Sequence, residues 1–321
     1  MKEIPITEME GFRIGQTEDA AAGTGCTVIL CPEGMAAGAD IRGGGPASRE
    51  TPLLSPMTNA HVIHAVVLSG GSAFGLDAAG GVMQYLEEHD IGYDVSVTKV
   101  PLVVQSDIFD LTVGDVHIRP DHAMGYRAAE AALTAPNYRD GNYGAGCGAT
   151  VGKITGMGRS MKSGIGSYAV QLGELKVGAV VVVNALGDIH DPHMGKQIAG
   201  LRSEDGTSLC STLEYMYSGL RAGEKSFTKN TTLAVIMTNA SFHKTALCRI
   251  ASMAHNGMAR AINPVHTTAD GDTVYAVSSG GVKADQDLVG TLGAEVLSEA
   301  ILRAVQHAEA AYGLPAARDL K

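Results

Sequence analysis

The sequence predicts a mixed fold of the α/β or α+β class, because short apolar runs alternate with longer amphipathic ones along its 321 residues. A hydrophobic fraction of 45% and a charged fraction of 18% are typical of a globular chain with a sizeable core. The 41 glycines follow no fixed period, so they indicate tight turns and close backbone approaches. Periodicity alone does not decide the topology.

The strands are predicted from β-branched runs, and the helices from apolar residues that recur on one face. Val177–Val183 and Leu233–Met237 are continuous apolar runs, as expected of strands covered on both faces. The region from Gly187 to Lys229 is polar and irregular. The other predicted elements are the strands Cys26–Cys31, Val62–Leu68 and Thr273–Val277 and the helices Gly75–His89, Ala123–Leu133, Lys244–Ile262 and Leu288–Ala311.

Charge and cysteine usage limit the possible partners. The net charge is −10 and the chain has no basic stripe, which argues against a nucleic-acid partner. The five cysteines form no CxxC pair, as is typical of a reducing compartment. The N-terminal segment lacks a signal-peptide core, and no apolar run is long enough to span a bilayer. We therefore expect a cytoplasmic chain without a membrane partner.

The most informative segment is Lys229–Ala240, KNTTLAVIMTNA, where a polar loop ends and a buried strand begins at once. A hydroxyl at the first residue of a core strand is held rigidly, which suits a nucleophile, but it needs a base. Cleavage of the Asn230–Thr231 bond would give Thr231 an α-amino group, whose ordinary pKa of about 7.7–8.0 suits that task. By itself, Thr-Thr at a strand start also reflects ordinary β propensity.

Seven segments, in the same order, resemble the DmpA-type L-aminopeptidase/D-esterase family of self-processing, N-terminal-nucleophile peptidases. The resemblance covers most of the chain, roughly from residue 11 to residue 314. The segments are Leu68–Ala79 (LSGGSAFGLDAA), Val100–Leu111 (VPLVVQSDIFDL), Gly141–Lys153 (GNYGAGCGATVGK), Val177–Asn184 (VGAVVVVN), Asn230–Ala240 (NTTLAVIMTNA), Met253–Ile262 (MAHNGMARAI) and Pro264–Val277 (PVHTTADGDTVYAV).

The resemblance implies an α+β fold, a four-layer αββα sandwich of the DmpA/ornithine-acetyltransferase type, in a single peptidase domain. It also implies autocleavage between Asn230 and Thr231 into an α subunit, residues 1–230, and a β subunit, residues 231–321. Thr231 would be the catalytic nucleophile. No cofactor or metal is expected, and members commonly assemble as homo-oligomers, often tetramers of the αβ unit.

Three further site residues follow from the resemblance. Asn184 matches the asparagine that helps to hold the oxyanion, although such a residue often only ends a strand. Asp270 and Asp272 match a Ser-x-Glu pair beside the nucleophile in some relatives, and an acid there could tune the Thr231 amine. Asp272 is the stronger candidate. The alternative for both is an Asp-Gly turn with solvated carboxylates.

Other site types find less support. Leu68–Gly75 lacks the spacing of a dinucleotide or P-loop motif and is interpreted as packing, whereas the role of Gly141–Gly148 stays open. His190 and His193 flank a proline and do not form a helical metal-ligand pair. No Gly-x-Ser-x-Gly elbow of an α/β-hydrolase is present.

The resemblance thus implies a self-processing serine/threonine-type aminopeptidase/amidohydrolase that releases N-terminal amino acids by acyl transfer to Thr231 and then to water. Its substrates would be short peptides, amides or esters with a free N-terminal amine. Two alternatives remain open. One is an acyltransferase of the ornithine-acetyltransferase type, which also cleaves itself before Thr. The other is an unprocessed, non-catalytic homologue that binds amines or amides.

Overall fold

A computed structural model describes residues 1–218 and 230–320. The helices are α1 Ala78–Glu88, α2 His122–Thr134, α3 Thr212–Tyr217, α4 Lys244–Ala261 and α5 Gln286–Gln306. The strands are β1 Lys2–Ile4, β2 Arg13–Asp19, β3 Thr24–Ile41, β4 Ala47–Arg49, β5 Ile63–Ser69, β6 Tyr93–Asp94, β7 Lys99–Val100, β8 Val103–Asp107, β9 Thr150–Val151, β10 Met161–Lys162, β11 Ile165–Leu172, β12 Leu175–Asn184, β13 Asp188–His190, β14 Gln197–Ala199, β15 Thr231–Ala240, β16 Ile262–Asn263 and β17 Thr273–Val282.

The main sheet folds into two layers at the long strand β3. Residues 36–41 of β3 pair with β17 and continue the order β1-β11-β12-β15-β17. Residues 24–30 of the same strand pair with β2 and β5, and β8 and β4 follow β5. The register shifts between Leu30 and Met35, where the strand passes from one layer to the other.

Three hydrophobic cores separate the layers. One lies between α4, α5 and the sheet that contains β12 and β15, a second lies between the two sheets, and a third lies under α1 and α2. Within β15, Leu233 and Val235 enter the core between the sheets, while Ala234 and Ile236 enter the core under α4 and α5. Because both faces are covered, residues 233–237 of this strand are all apolar. The arrangement confirms the expected αββα sandwich.

Most predicted elements occur, with corrected boundaries. The helix predicted from Gly75 begins at Ala78, because Ser72–Asp77 is a 3₁₀ helix that follows Gly71 in the left-handed region. The C-terminal helix ends at Gln306, short of Ala311. The polar region from residue 187 also contains β13, β14 and α3, and its residues 219–229 lie outside the described chain.

The N-terminal caps explain where two of the helices begin. The Asp121 carboxylate accepts from the N–H of Met124 at the start of α2, and the Asp285 carboxylate accepts from the N–H of Leu288 at the start of α5. Across the described ranges, every helix is too short or too polar to cross a bilayer.

Candidate active site

Thr231 is the first residue of β15, and β15 lies between β12 and β17. The antiparallel register with β12 places Thr231 opposite Asn184, the last residue of that strand. The parallel register with β17 pairs Leu233 with Thr273, so the acidic segment before Thr273 also ends beside Thr231. The structure therefore brings the nucleophile, oxyanion and acid candidates together at one end of the sheet.

The Asn230–Thr231 junction is buried and held by main-chain hydrogen bonds. Asn230 forms a one-residue parallel bridge with Asp270. Its N–H donates to the carbonyl of Ala269 at 2.9 Å, and its carbonyl accepts from the N–H of Gly271 at 2.8 Å. The Thr231 hydroxyl donates to the same Asn230 oxygen. The hydroxyl thus lies directly at the carbonyl that precedes its own residue.

Gly271 allows this close approach. A Cβ atom at Gly271 would stand 2.8 Å from Thr231 Oγ1 and 2.8 Å from the carbonyl oxygen of Gly45. Real Cβ atoms essentially never come so close to another heavy atom, so a larger residue would displace the hydroxyl or the backbone opposite. Gly271 therefore has a steric role beside the candidate nucleophile Thr231.

The Asn184 side chain is fully buried, and its orientation is fixed by its neighbours. Its Oδ1 accepts from Lys153 Nζ at 2.7 Å and from the N–H of Thr150 at 3.0 Å. Its Nδ2 donates to the carbonyl of Phe109 at 3.0 Å. Because Oδ1 faces two donors, the amide nitrogen must face the opposite way.

Lys153 is a site residue that sequence reasoning missed. It is buried, and Nζ also donates to the carbonyl of Asn184 at 3.0 Å. Burial lowers the pKa of Lys153 to about 7, although the negative charges of Asp270 and Asp110 oppose that shift. The available signal was a lone lysine that ends the glycine-rich segment Gly141–Lys153.

The Asp272 carboxylate is buried and receives hydrogen bonds on both oxygens. Oδ1 accepts from the N–H of Thr232 at 2.7 Å, one residue after the candidate nucleophile. Oδ2 accepts from the N–H of His266 at 3.1 Å and lies 2.7 Å from His266 Nδ1. Asp272 therefore fixes the start of β15 from the side opposite Asn184.

Asp270 is also buried, but its contacts differ. Its Oδ2 accepts from the N–H of Thr267 at 2.8 Å and from the Thr267 hydroxyl at 2.5 Å. Burial, and then the negative charge of Asp272, raise the pKa of the Asp270 carboxyl. The alternative of an Asp-Gly turn with solvated carboxylates is therefore wrong for both acids.

His266 is the second residue that sequence reasoning missed. Because a carboxylate only accepts, His266 Nδ1 carries the hydrogen that faces Asp272. Its Nε2 is buried and has no hydrogen-bond partner among the described residues. Its ring lies edge-on to His255, 4.7 Å between centroids, and its φ of 57° is unusual for a residue with a side chain. Its place at the head of the acidic segment was the available signal.

In each glycine-rich block, a main-chain N–H already binds a carboxylate of the chain itself. In Leu68–Gly75, the N–H of Gly71 donates to the Asp110 carboxylate at 2.7 Å. Within Gly141–Gly148, the N–H of Gly144 donates to the Glu18 carboxylate at 2.8 Å. Donors that already hold carboxylates of the chain itself are not open to a phosphate.

The fold of the chain resembles that of a solved structure. A structure titled L-aminopeptidase D-Ala-esterase/amidase from Ochrobactrum anthropi, described there as a variant of the Ntn hydrolase fold, superimposes with a TM-score of 0.68. The match has 18% sequence identity and covers 97% of this chain and 88% of the other. At this level of identity the match shows the fold: the four-layer sandwich resembles the variant of the Ntn hydrolase fold described for that structure.

Sequence similarity identifies the family. Residues 5–317 match the model of peptidase family S58, and the chain belongs to this family of hydrolases. An uncharacterized aminopeptidase of Mycobacterium leprae is 36% identical over 97% of this chain and 92% of its own length. A 6-aminohexanoate-oligomer endohydrolase of Agromyces sp. strain KY5R is 30% identical over 94% of this chain and 86% of its own.

Proposed function

We propose that the chain cleaves its own Asn230–Thr231 bond and that Thr231 then serves as the N-terminal nucleophile of an aminopeptidase. The observation that carries this proposal is the geometry of the junction. The Thr231 hydroxyl contacts the Asn230 carbonyl oxygen, and the N–H of Gly271 holds the same oxygen at 2.8 Å. The hydroxyl that would attack and a hydrogen-bond donor that would stabilise the oxyanion therefore both contact the carbonyl group of this peptide bond.

Self-cleavage takes two steps. Thr231 Oγ1 gives up its proton and attacks the Asn230 carbonyl carbon; the C–N bond breaks, and the departing nitrogen takes a proton to become an amine. The result is an ester between Asn230 and Thr231. Water hydrolyses that ester, which frees the Asn230 carboxyl group and restores the Thr231 hydroxyl. The products are residues 1–230 and 231–321.

In turnover, the new Thr231 amine acts as the base that its own hydroxyl needs. The amine takes the hydroxyl proton as Oγ1 attacks the substrate carbonyl, and it returns that proton to the leaving amine. Water then hydrolyses the acyl-threonine. An intact peptide nitrogen cannot perform this task, since its lone pair is delocalised into the carbonyl.

The developing oxyanion is stabilised by the N–H of Gly271 and by the Nδ2 of Asn184. The register of β12 against β15 supports the second donor, because it places Asn184 directly opposite Thr231. Lys153 positions that donor by holding Oδ1 at 2.7 Å, so that Nδ2 is directed away from it. A correctly aimed donor of this kind lowers the barrier by about 3–4 kcal/mol.

The two acids have separate roles. Asp272 holds the N–H of Thr232 at 2.7 Å, so it positions the residue that carries both nucleophile and base. Its negative charge also favours the protonated form of the nearby Thr231 amine and so tunes its basicity. Asp270 shares the acidic segment and faces the charge of Lys153.

The substrates are short peptides, amides or esters with a free N-terminal amine. The family and the names of the relatives support an amide-bond substrate: one is called an aminopeptidase, and another is called an endohydrolase of 6-aminohexanoate oligomers. The buried acids beside the nucleophile support recognition of a cation. We expect the αβ units to assemble as a homo-oligomer.

Intact-mass measurement tests the proposal. Wild-type protein should change from one 33.2 kDa species into two fragments whose junction is Asn230/Thr231. Thr231→Ala should remain a single species without amidase activity, whereas the matched variant Thr231→Ser keeps a hydroxyl and should still cleave. Cleavage of Thr231→Ala at this junction, or amidase activity of an uncut wild-type chain, would refute the mechanism.

The same samples separate the two alternatives. An uncut chain that binds amines without turnover would support the non-catalytic homologue. A cut chain that transfers an acyl group to an amino acid faster than to water would support the acyltransferase. Hydrolysis as the dominant fate of the acyl group supports the aminopeptidase.

A further inference from the structure

Asn230 pairs with the neighbouring acidic segment as a residue of a parallel strand would. Its N–H donates to the carbonyl of Ala269 at 2.9 Å, and its carbonyl accepts from the N–H of Gly271 at 2.8 Å. We call the Ala269 carbonyl and the Gly271 N–H the two anchors. They belong to the residues on either side of Asp270, and together they form the parallel bridge between residues 230 and 270. Asn230 is only 1% exposed, so both bonds are shielded from water.

The ester formed during self-cleavage and the acyl-enzyme formed during turnover share one covalent arrangement. In each, an acyl carbon is bound to Thr231 Oγ1, and its oxygen needs the same stabilising donor. Asn230 supplies the first acyl group, and a substrate supplies every later one. The position of Asn230 is therefore a template for the acyl residue of a substrate.

We propose that the acyl residue of the substrate binds by these two main-chain hydrogen bonds, with its α-amine on the carbonyl of Ala269 and its carbonyl on the N–H of Gly271. This inference rests on the proposed function. It deepens that function by naming the main-chain atoms that select α-aminoacyl over β-aminoacyl substrates. The freed Asn230 carboxylate must leave both anchors before a substrate takes them.

The spacing of the anchors selects α-amino acids. In an α-aminoacyl group the nitrogen and the carbonyl share one carbon, as they do in Asn230. A β-aminoacyl group has one more carbon, which adds a bond of about 1.5 Å between the two groups. With the carbonyl held for attack, its amine misses the Ala269 carbonyl, because hydrogen bonds weaken steeply away from 2.7–3.2 Å.

Charge favours a free amine at this position over a peptide N–H. An ammonium group makes a stronger hydrogen bond to a carbonyl than a neutral amide does. The anchoring segment also carries two buried carboxylates, those of Asp270 and Asp272. Since both anchors are main-chain atoms, they hold any α-amino acid alike.

The experiment changes the substrate instead of the anchors, because neither a carbonyl nor an N–H can be deleted cleanly by substitution. Wild-type, self-cleaved protein is assayed with four p-nitroanilides: L-alanyl, its isomer β-alanyl, propionyl, which lacks the amine, and N-acetyl-L-alanyl, which keeps an uncharged N–H. We expect kcat/KM for L-alanyl to exceed that for β-alanyl and for propionyl at least tenfold, the size of one charged hydrogen bond. N-acetyl-L-alanyl should fall between L-alanyl and propionyl.

Equal or faster hydrolysis of the β-alanyl substrate would overturn this inference while leaving self-cleavage and the Thr231 nucleophile intact. Propionyl as good as L-alanyl would also overturn it, since the amine anchor would then contribute nothing. A chain that is never cut, or a cut chain that hydrolyses none of the four, would instead refute the proposed function together with the inference.

Discussion

Two lysines, Lys153 and Lys162, are buried completely in the same part of the molecule, and burial lowers the pKa of each to about 7. Their contacts differ. Lys153 Nζ contacts the Asn184 side chain at 2.7 Å, opposite the candidate nucleophile. Among the described residues, Lys162 Nζ donates only to main-chain carbonyls, among them that of Ala149 at 3.1 Å.

The difference shows that a perturbed pKa does not by itself identify a functional residue. Desolvation perturbs both lysines alike, because it depends only on burial. What separates them is the group that each ammonium orients: a side chain of the site for Lys153, and the backbone of a loop for Lys162. Function follows the contact and not the pKa shift.

The largest expected effect comes from replacing each lysine with methionine, which keeps the length of the side chain. Lys153→Met should lower kcat of the cleaved protein by about 100-fold to 1000-fold, because the Asn184 donor loses its fixed orientation. Lys162→Met should keep kcat within about threefold but lower the melting temperature, because buried carbonyls lose their donor. Steady-state kinetics give kcat, and thermal unfolding gives the melting temperature, for both variants. Equal losses of kcat would show that the two lysines do not differ in function.

Gly271 and Gly158 allow a similar comparison for steric contacts. Gly271→Ala places a Cβ 2.8 Å from Thr231 Oγ1, whereas a Cβ at Gly158 meets nothing within 4 Å. We expect Gly271→Ala to slow self-cleavage by about 10-fold to 100-fold, as a displacement of roughly 1 Å does in other sites. Gly158→Ala should cleave at the wild-type rate. Time courses of intact mass compare them, and normal cleavage of Gly271→Ala would contradict the close approach.

His266 gives a smaller effect on the other side of the nucleophile. His266→Gly removes the side-chain donor to Asp272, whereas His266→Asn keeps an N–H near the place of Nδ1, and both residues tolerate the φ of 57°. We expect kcat to fall about tenfold in the glycine variant, with KM little changed, and asparagine to restore most of it.

The pH profile of kcat separates positioning from simple destabilisation. With the side-chain donor gone, the Asp272 carboxylate attracts the protonated Thr231 amine more strongly, so the acid limb of that profile should move to higher pH in His266→Gly and stay in place in His266→Asn. An unchanged profile in the glycine variant would make His266 structural only.

The smallest effect concerns stability, where the two lysines should behave alike. From pH 7 to about 10.4, an unfolded lysine keeps a proton that the folded one has released, so stability rises with pH. Either methionine variant should flatten this rise by up to about 1.4 kcal/mol per pH unit. Urea unfolding between pH 7 and about 8 measures this slope. A slope that differs between the variants would show that their burial is not equivalent.

Much of the fold could be predicted from the sequence, because local periodicity records burial. The continuous apolar runs of β12 and β15 report coverage on both faces, and helix α4 was located to within one residue. The end of α5 was missed, because apolar residues continue beyond Gln306 although the helix does not. Pairing of β3 with both layers depends on contacts far apart in sequence, which no local pattern records.

The candidate site was predicted only in part. The change from a polar loop to an apolar strand indicated Thr231, whereas Asn184 and Asp272 were indicated by the resemblance to the family. Lys153 and His266 lie in irregular segments, and only the tertiary fold brings Lys153 to Asn184 or buries His266 beside Asp272. Their residue types alone could not distinguish them from other lysines and histidines.

The central place of β15 has a consequence for the self-cleavage that we propose. This strand has hydrogen-bonded neighbours on both sides, β12 before the cut and β17 after it. Severing the peptide bond before Thr231 therefore leaves the sheet intact, but it changes the molecularity of unfolding. One chain becomes two that share a core, so the melting temperature should depend on protein concentration, and refolding should require two separate polypeptides to find each other.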